Sequence, residues 1–413
     1  MSQAILRQIL DYSSRSNPYP LYEELRRTPV SQFVDGPYVV STYHEIQSLL
    51  HDPRISSEAQ NTVTTAGDPL AQSEEEEEQA TLPPSILRTD PPEHDRLRRR
   101  INRSFGPPHA PRLVHDMAAD LENIIRELID GIEDPSNFDL VERVAYPFPV
   151  TVICRLLGVP REDEARFHVW ADTLTGSLDP DPEVDAEARH KVLQDARMQL
   201  GMYMAGLIEQ RRKNPGEGML SELASGHGPD GSLTTMELLS ASVLLLIAGH
   251  ETTVNLITNG MLTLLRNPEL LRRLREDPSF AAPVVEELLR FEPPVHILPH
   301  RATLADVEVG GVVIPKGSSL WLLLASGNRD PQRFKDPERF DPDRADAQHL
   351  GFGSGVHSCF GAPIARLETQ IALRELVRRL ENPRLLEDPP PYRQSAVLRG
   401  PRHLPLACDG IRP

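Results

Sequence analysis

Cysteine is scarce in this chain: 413 residues contain three, Cys154, Cys359 and Cys408. The three lie far apart, they are odd in number, and none belongs to a CxxC pair. This distribution excludes a disulfide-built scaffold and a four-cysteine zinc site, and it fits a reducing cytosol. Any cysteine chemistry therefore depends on a single thiol.

Signals for export and for a membrane span are also missing. The N-terminal stretch MSQAILRQILDYSSRSNPYP has no basic region followed by an apolar run, so it does not predict a signal peptide. No window reaches about 18 uninterrupted apolar residues, so we expect no membrane span. The net charge of −17 argues against nucleic acid or an anionic membrane as the main partner. We therefore expect a soluble, cytoplasmic and monomeric protein.

Helical periodicity dominates what is present, and β signals are short and confined mainly to residues 297–324. Neither an internal repeat nor a linker divides the chain, so we expect one domain over residues 1–413, mainly α with a small β region. Between residues 56 and 88 we predict a long loop, which contains the acidic run Glu74–Glu78. Helices are predicted at residues 112–132, 148–157, 162–175 and 186–213.

The most unusual predicted element is a helix of about 33 residues, roughly 50 Å long. It begins at a capping box formed by Thr234 and Glu237 and ends at Arg266, before Asn267-Pro268. Its middle, VLLLIAGHETTVNLI, is apolar on nearly every side, so we expect this helix to cross the core.

A polar patch interrupts this central helix at Gly249, Glu251, Thr252 and Thr253. Glycine weakens a helix, and threonine hydroxyls compete for its backbone carbonyls. Such a local inconsistency in a core helix is typical of a functional site. The sequence HETTV lacks the second histidine of the metalloprotease HExxH motif, so we do not expect zinc there.

Residues 351–361, GFGSGVHSCFG, form a glycine-rich loop that ends in Cys359 just before another predicted helix. Unpaired N–H groups and the helix dipole favour a thiolate at that position. Cys359 could be a buried structural thiol, a nucleophile with His357 as its base, or an axial haem ligand. The spacing fits neither a phosphate-binding P-loop nor a dinucleotide fingerprint. A thiolate beside a long helix with a polar gap fits the haem ligand best.

The loop sequence FGSGVHSCFG resembles the haem-binding loop of cytochrome P450 and matches Phe-Gly-x-Gly-x-His-x-Cys-x-Gly at every fixed position. AGHETT, at residues 248–253, resembles the oxygen-activation segment of that family's central helix. DPPEHDRLRR, at residues 90–99, is similar to the haem-propionate helix of soluble bacterial members. The motifs occur in the family's order along nearly the whole chain.

Two further motifs complete the resemblance. EELLR contains the family's Glu-x-x-Arg as Glu287 and Arg290, and DPERF resembles the segment whose arginine, here Arg339, joins that pair. From these three residues the resemblance implies a buried structural network. It also implies a P450 fold with haem b (iron protoporphyrin IX) between the central helix and the helix after Cys359.

The resemblance assigns Cys359 as the iron ligand, Phe352 as its shield, and Gly353 and Gly361 as parts of the haem loop. His94 and Arg98, four residues apart on one helix face, could alone be ordinary surface charge. The resemblance instead places them in a clamp for the haem propionates, together with Arg301 and His357. Glu251 and Thr252 would be the acid–alcohol pair that delivers protons to dioxygen before the O–O bond splits.

The implied function is O2-dependent hydroxylation or epoxidation of a hydrophobic organic compound, as in natural-product tailoring. Because no second cysteine cluster exists, we expect electrons from a separate ferredoxin and ferredoxin reductase fed by NAD(P)H, docked at a basic patch of Arg96, Arg99, Arg100 and Arg103. Oxidative coupling, desaturation, isomerisation and a non-catalytic haem sensor remain alternatives. The residues expected to line the substrate pocket are Ile86, Leu87, Leu244, Ile247, Ala248, Val295, Ile297, Leu298, Val397 and Leu398.

Overall fold

The structure is a computed structural model that describes residues 2–63, 68–70, 85–105, 111–176, 186–216, 218–225 and 233–413. Helices dominate these residues, as the periodicity predicts. In chain order they are α1 (Ser2–Leu10), α2 (Tyr19–Arg26), α3 (Tyr43–His51), α4 (Glu93–Phe105), α5 (Pro111–Asp130), α6 (Pro147–Leu157), α7 (Glu164–Gly176), α8 (Ala186–Lys213), α9 (Met219–Ser225), α10 (Thr235–Arg266), α11 (Pro268–Glu276), α12 (Ala281–Phe291), α13 (Leu324–Gly327) and α14 (Ala362–Arg379).

The β structure is small, as expected. Its strands are β1 (Val30–Gln32), β2 (Tyr38–Val40), β3 (Ile55–Ser56), β4 (Phe138–Asp139), β5 (Leu298–Thr303), β6 (Val307–Val309), β7 (Val312–Ile314), β8 (Ser319–Leu322), β9 (Leu380–Glu381), β10 (Arg384–Leu385), β11 (Pro405–Ala407) and β12 (Gly410–Ile411). Five of them form one sheet in the order β1-β2-β8-β5-β3, in which β2 and β8 are parallel. The other pairs in that sheet are antiparallel.

Helix α10 is the central element, and its predicted start and end are confirmed. The Thr234 side chain accepts from the N–H of Glu237, while the Glu237 carboxylate accepts from the N–H of Thr234, which completes the capping box. Asn267 closes the helix ahead of Pro268. By length and composition α10 could span a membrane, but 67% of its most apolar window is buried inside the protein. It contacts α6 and α14 and therefore runs through the main hydrophobic core.

A second and a third core cluster lie around the five-stranded sheet. One joins α3 to β6, β7 and β8, and the other packs α1 and α2 against Trp321 of β8. Strand β5 carries a register shift between Leu298 and Arg301, and His300 inside that bulge has a left-handed φ of +59°. A β-bulge redirects the side chain that follows it, which here is Arg301.

Part of the predicted 56–88 loop is described. It contains single 3₁₀ turns at Ala59–Asn61 and Ile86–Arg88. Asp68 accepts a hydrogen bond from the Ser319 hydroxyl, and Leu70 packs against the α1–α2 cluster. These contacts attach the loop to the sheet. The acidic run Glu74–Glu78 lies outside the described residues.

Candidate active site

The glycine-rich loop before α14 places one sulfur at the start of that helix. Gly353 and Gly355 both have positive φ, of +66° and +69°. The N–H of Cys359 donates to the carbonyl of Phe352 at 2.9 Å, which closes the loop. The loop therefore has a fixed backbone path that ends with the Cys359 side chain beside the N-terminus of α14.

The surroundings of Cys359 suit a thiolate ligand. Desolvation raises the pKa of the thiol, while N–H groups of Gly361 and Ala362 and the nearby charge of Arg98 act in the opposite direction. Cys359 nevertheless keeps accessible surface. An open side and N–H donors to the sulfur are both needed by a metal-bound thiolate, because the donors stabilise its charge.

Phe352 lies in the same loop and is half-buried against the main core. The guanidinium of Arg366, from the first turns of α14, stacks over its ring at 4.6 Å. The charge of Arg366 also favours a thiolate at Cys359. This packing fits the shielding role expected of Phe352.

One face of the central helix stays open although the helix lies in the core. Leu244, Ile247, Ala248 and Thr252 are half-buried, whereas the stretch that follows them, from Thr253 onward, is buried to Leu264. Spacings of three and four residues put these side chains on one helix face. Their assignment to the substrate pocket stays a prediction. The Thr252 hydroxyl donates to the carbonyl of Ala248 at 2.7 Å.

The same spacing rule puts Glu251 on that face, three residues after Ala248 and four after Ile247, yet its side chain is buried. It is 2% exposed, and its Oε1 lies 2.6 Å from Nε of Arg393. The same Nε donates to the side-chain oxygen of Asn255 at 3.1 Å. Arg393 was not among the predicted site residues. The sequence marks it only as a charged residue in the C-terminal segment PYRQSAVL.

The four residues predicted to bind the propionates converge. His94 and His357 stack with ring centroids 4.4 Å apart. The pKa of His357 is lowered to about 4, mainly by burial. The charges of Arg301 and His94 lower it further, and Arg98 has a smaller effect in the same direction. Arg301 is 7% exposed, and burial followed by the charge of Arg88 lowers its pKa to about 10. Helix α4, strand β5 and the cysteine loop thus bring their donors to one place.

This donor cluster fits a bound dicarboxylate. Nε2 of His94 and Nδ1 of His357 are buried polar atoms with no hydrogen-bond partner in the part of the chain that the structure describes. Among the residues that the structure describes, the Arg301 side chain donates only to the adjacent carbonyl of His300, at 3.2 Å. A buried guanidinium is costly unless an anion compensates its charge, and a buried imidazole N–H is costly without an acceptor. Asp90 supplies one negative charge nearby, and its oxygens also accept from Ser56 and Ser57.

The predicted network beyond the cysteine loop is confirmed for its first two members. Arg290 donates from Nε and Nη2 to the two carboxylate oxygens of Glu287, at 2.8 and 2.7 Å, and both residues are fully buried. Arg290 also reaches the carbonyls of Asn328, Pro337 and Arg339. The two helix residues therefore anchor the irregular segment before the cysteine loop.

For Arg339 the expectation about the side chain is wrong. Arg339 is exposed, and it contributes to the network only through its backbone carbonyl, which lies 2.9 Å from Nη2 of Arg290. The third charged group is Arg344, whose Nε lies 3.4 Å from Oε2 of Glu287. The turn at residues 336–339 points the Arg339 guanidinium outward, and the chain returns to Glu287 only five residues later.

Two of the predicted pocket residues lie elsewhere. Ile86 is 4% exposed within the main core, and Ile297 is 1% exposed in the α1–α2 cluster, so neither presents surface to a cavity. In both cases the neighbouring residue has more surface: Leu87 is exposed and Leu298 is half-buried. Val397 is half-buried against the α1–α2 cluster, and Val295 pairs with Leu398 as an isolated bridge. For Leu87, Val295, Leu298, Val397 and Leu398 the pocket assignment stays a prediction.

A mainly helical fold in which a glycine loop offers one cysteine, beside a buried cluster of arginine and histidine donors, defines a haem-thiolate protein. The cytochrome P450 family model matches residues 37–406. The chain belongs to the cytochrome P450 family, and it is a cytochrome P450 monooxygenase with a haem-thiolate iron cofactor.

Relatives and solved structures agree with this assignment. The chain is 39% identical to cytochrome P450 monooxygenase PikC of Streptomyces venezuelae, over 95% of this chain and 91% of that protein. It is 36% identical to 6-deoxyerythronolide B hydroxylase of Saccharopolyspora erythraea, covering 95% and 96% of the two chains. The structure of the Bacillus subtilis bacillaene polyketide synthase cytochrome P450 PksS superimposes with a TM-score of 0.86 at 29% identity, covering 97% of this chain and 99% of that one.

Proposed function

We propose that this enzyme hydroxylates or epoxidises a bulky, mainly aliphatic natural product in the cytoplasm. It acts as a monomer on haem b, with electrons from a separate ferredoxin and its reductase. The observation that carries the proposal is the open face of α10, which runs through Leu244 and Ala248 to the Thr252 hydroxyl. An apolar wall that ends in one hydroxyl suits an apolar substrate held beside a site of proton delivery.

The residues that would hold the haem are those of the loop and of the donor cluster. Cys359 provides the thiolate, with the N–H groups of Gly361 and Ala362 around it. His94, Arg98, Arg301 and His357 provide donors for the propionates. When bound, a thiolate-ligated haem supplies the activation of dioxygen and favours O–O cleavage.

Proton delivery is the task we assign to the chain's own residues on the distal helix. The Thr252 hydroxyl can exchange its bond to the Ala248 carbonyl for one to an ordered water in the cavity. Glu251 can take up a proton at its carboxylate and pass it toward that water. Both steps move protons only, so they act on the efficiency of oxygen use and leave haem and substrate binding intact.

Thr252→Ala tests this assignment. We expect the variant to keep its carbon monoxide difference band and its substrate-induced spin-state shift. The amount of product formed per NAD(P)H consumed should fall at least about tenfold, because a general acid–base group typically contributes about 10²–10⁴-fold to the rate. The measurement is the ratio of product formed to NAD(P)H consumed.

A matched control lies on the same helix. The Thr258 hydroxyl donates to the carbonyl of Val254 at 2.9 Å, the same type of bond, in a buried position six residues further along the helix. Thr258→Ala should remain coupled. Full coupling in Thr252→Ala, or equal loss in both variants, would contradict the proton-delivery role.

The substrate class rests on the aliphatic lining and on the names of two relatives. One of them is a 6-deoxyerythronolide B hydroxylase, and the PksS structure is described as belonging to a polyketide synthase. We therefore expect polyketide lactones to bind better than small terpenes. A screen of both classes by spin-state shift measures this, and a preference for the small terpenes would argue against it.

A further inference from the structure

A set of contacting side chains joins helix α12 to the cysteine loop and to α14. Glu286 of α12 accepts from Nε and Nη2 of Arg366 at 2.5 and 3.0 Å, so that the guanidinium pairs with both carboxylate oxygens. The Oε2 atom of Glu286 also lies 3.3 Å from Nε2 of His349. The Cζ atom of Arg366 lies 4.6 Å from the centroid of the Phe352 ring. Glu286 therefore holds the arginine that stacks on the cysteine loop.

The hydrogen bonds of His349 determine which of its ring nitrogens carries the hydrogen. Its Nδ1 accepts from the N–H of Gly351 at 3.0 Å, so Nε2 carries the hydrogen that is donated to Glu286. The rings of His349 and Phe352 have centroids 6.0 Å apart. Gly351 packs closely on α12, because an added Cβ would lie 2.5 Å from the carbonyl oxygen of Leu289. A neutral His349 thus fixes the carboxylate against the loop without adding charge.

The pair contributes one cation and one anion near the thiolate. The side chains of Arg366 and Glu286 are 35% and 31% exposed. Burial raises the pKa of Glu286, but the hydrogen bonds from His349 and Arg366 outweigh burial and lower the pKa to about 2. Glu286 is therefore a carboxylate at neutral pH. The carbonyl of Phe352, on whose ring Arg366 stacks, accepts from the N–H of Cys359 at 2.9 Å, so the cation lies against the residue that closes the loop.

These charges act on the reduction of the iron. Reduction of ferric iron adds one electron to the iron–thiolate centre, so the charge of the centre becomes more negative by one. A nearby cation stabilises the reduced state and raises the reduction potential, whereas a nearby anion lowers it. A cation also draws electron density from the sulfur, and this opposes the thiolate push that favours O–O cleavage. A partly compensated cation meets both requirements.

We propose that Glu286 and Arg366 form a compensated charge pair that sets the reduction potential of the haem iron. Arg366, held against Phe352, raises the potential. Glu286 is the positioning residue that holds the guanidinium there and limits the rise by its own charge. The pair lies beside the cysteine loop, so the inference is independent of the substrate and of proton delivery on α10.

Two other charged groups must be distinguished from this pair. Arg98 also favours the thiolate by its charge, but we expect it to bind a propionate, so its replacement would change haem binding as well. Glu287, the neighbour of Glu286, is fully buried and pairs with Arg290 at 2.7 Å, so its replacement would destabilise the fold. Glu286 and Arg366 avoid both complications, because their side chains are partly exposed.

A spectroelectrochemical titration of the haem-loaded, substrate-free enzyme tests the proposal without turnover. Glu286→Gln should raise the reduction potential and Arg366→Gln should lower it, so that the ratio of reduced to oxidised iron at a fixed potential changes several-fold in opposite directions. In the Glu286→Gln, Arg366→Gln double variant the two shifts should largely cancel, because a cation and an anion are removed together. The carbon monoxide difference band of each variant shows whether Cys359 is still the ligand.

A second substitution and a matched control complete the test. Arg366→Lys keeps the charge but lacks the planar fork that stacks on Phe352 and pairs with both carboxylate oxygens. Its potential should lie between those of the wild type and Arg366→Gln. Arg374→Gln is the control, because Arg374 lies two turns further along α14, pairs with Glu122 and has a side chain that is 30% exposed. It should match the wild type.

Opposite shifts that cancel in the double variant would support the charge pair. Unchanged potentials in both single variants, shifts of the same sign, or an equal shift in Arg374→Gln would overturn it. Loss of the thiolate band in Arg366→Gln, together with wild-type potentials in Arg366→Lys and Glu286→Gln, would show that the arginine only supports the loop, and this would overturn the proposal as well.

Discussion

Gly355 is the residue whose replacement has the most direct steric consequence in the haem loop. Its φ is +69°, and an added Cβ would lie 2.0 Å from the carbonyl oxygen of Leu50 in α3. Gly353 has nearly the same φ, +66°, but nothing lies within 4 Å of its added Cβ. Alanine substitutions at the two glycines therefore distinguish the stability cost of a left-handed backbone, which both share, from the cost of a steric clash, which only Gly355 has.

We expect Gly355→Ala to lose most of its haem, because the loop must move away from α3 and take Cys359 with it. Gly353→Ala should load haem and lose only about 1–2 kcal/mol of stability, the usual cost of a left-handed conformation for alanine. The measurements are the haem-to-protein ratio and thermal unfolding. Equal haem content in the two variants would show that the contact with Leu50 does not determine the loop position.

At the residue scale the sequence predicted the site unevenly, for a physical reason. Cys359 could be selected because it ends a local glycine-rich pattern before a predicted helix. His94, Arg98, Arg301 and His357 gained their assignment from the family resemblance, and the structure brings them to the same cluster. Arg393 could not be predicted, since its contact with Glu251 arises only when the C-terminal segment folds onto α10.

At the scale of elements, the buried pair on α12 determines how the segment before the cysteine loop is held. Arg290 is fully buried and donates to Glu287 and to three carbonyls of that segment. We expect Arg290→Ala to cost about 3–5 kcal/mol, because it leaves the Glu287 carboxylate buried without its main partner. The free energy of unfolding, measured by urea denaturation, checks this value.

Two neighbouring arginines serve as graded controls. Arg344→Ala removes a weaker 3.4 Å contact to Glu287 and should cost about 1 kcal/mol. Arg339→Ala keeps the backbone carbonyl that Arg290 uses, so it should change stability by less than about 0.5 kcal/mol. A large loss of stability in Arg339→Ala would show that the Arg339 side chain does belong to the network.

Elements were more predictable than contacts between them. The bounds of α10 follow from a capping box, from helical periodicity and from the proline after its end, all of which are local signals. Ile86 and Ile297 show the limit. Both were predicted to line the pocket, as were their neighbours Leu87 and Leu298, and which of two neighbours faces a cavity depends on the packing of α1, α2 and the core around them.

At the scale of the whole molecule, charge determines where an electron donor can dock. Of the predicted basic patch, Arg96 is paired with Glu93 and Glu237, and Arg100 is 4% exposed. The side chain of Arg103 lies outside the described residues. Arg99 is exposed on α4, the helix that also carries Arg98 beside the cysteine loop. The patch that we now expect a ferredoxin to contact is therefore centred on Arg99.

Arg99→Glu should slow reduction of the iron by an acidic ferredoxin several-fold at low ionic strength, and the difference should shrink as salt screens the charges. Stopped-flow reduction under carbon monoxide, at two salt concentrations, measures it. Arg27→Glu is the control, because Arg27 is an exposed arginine just after the end of α2 and its reversal changes the net charge of −17 by the same amount. A slower rate specific to Arg99→Glu supports docking on α4. Equal slowing in both variants would show that only net charge matters, and no change in Arg99→Glu would place the docking surface elsewhere.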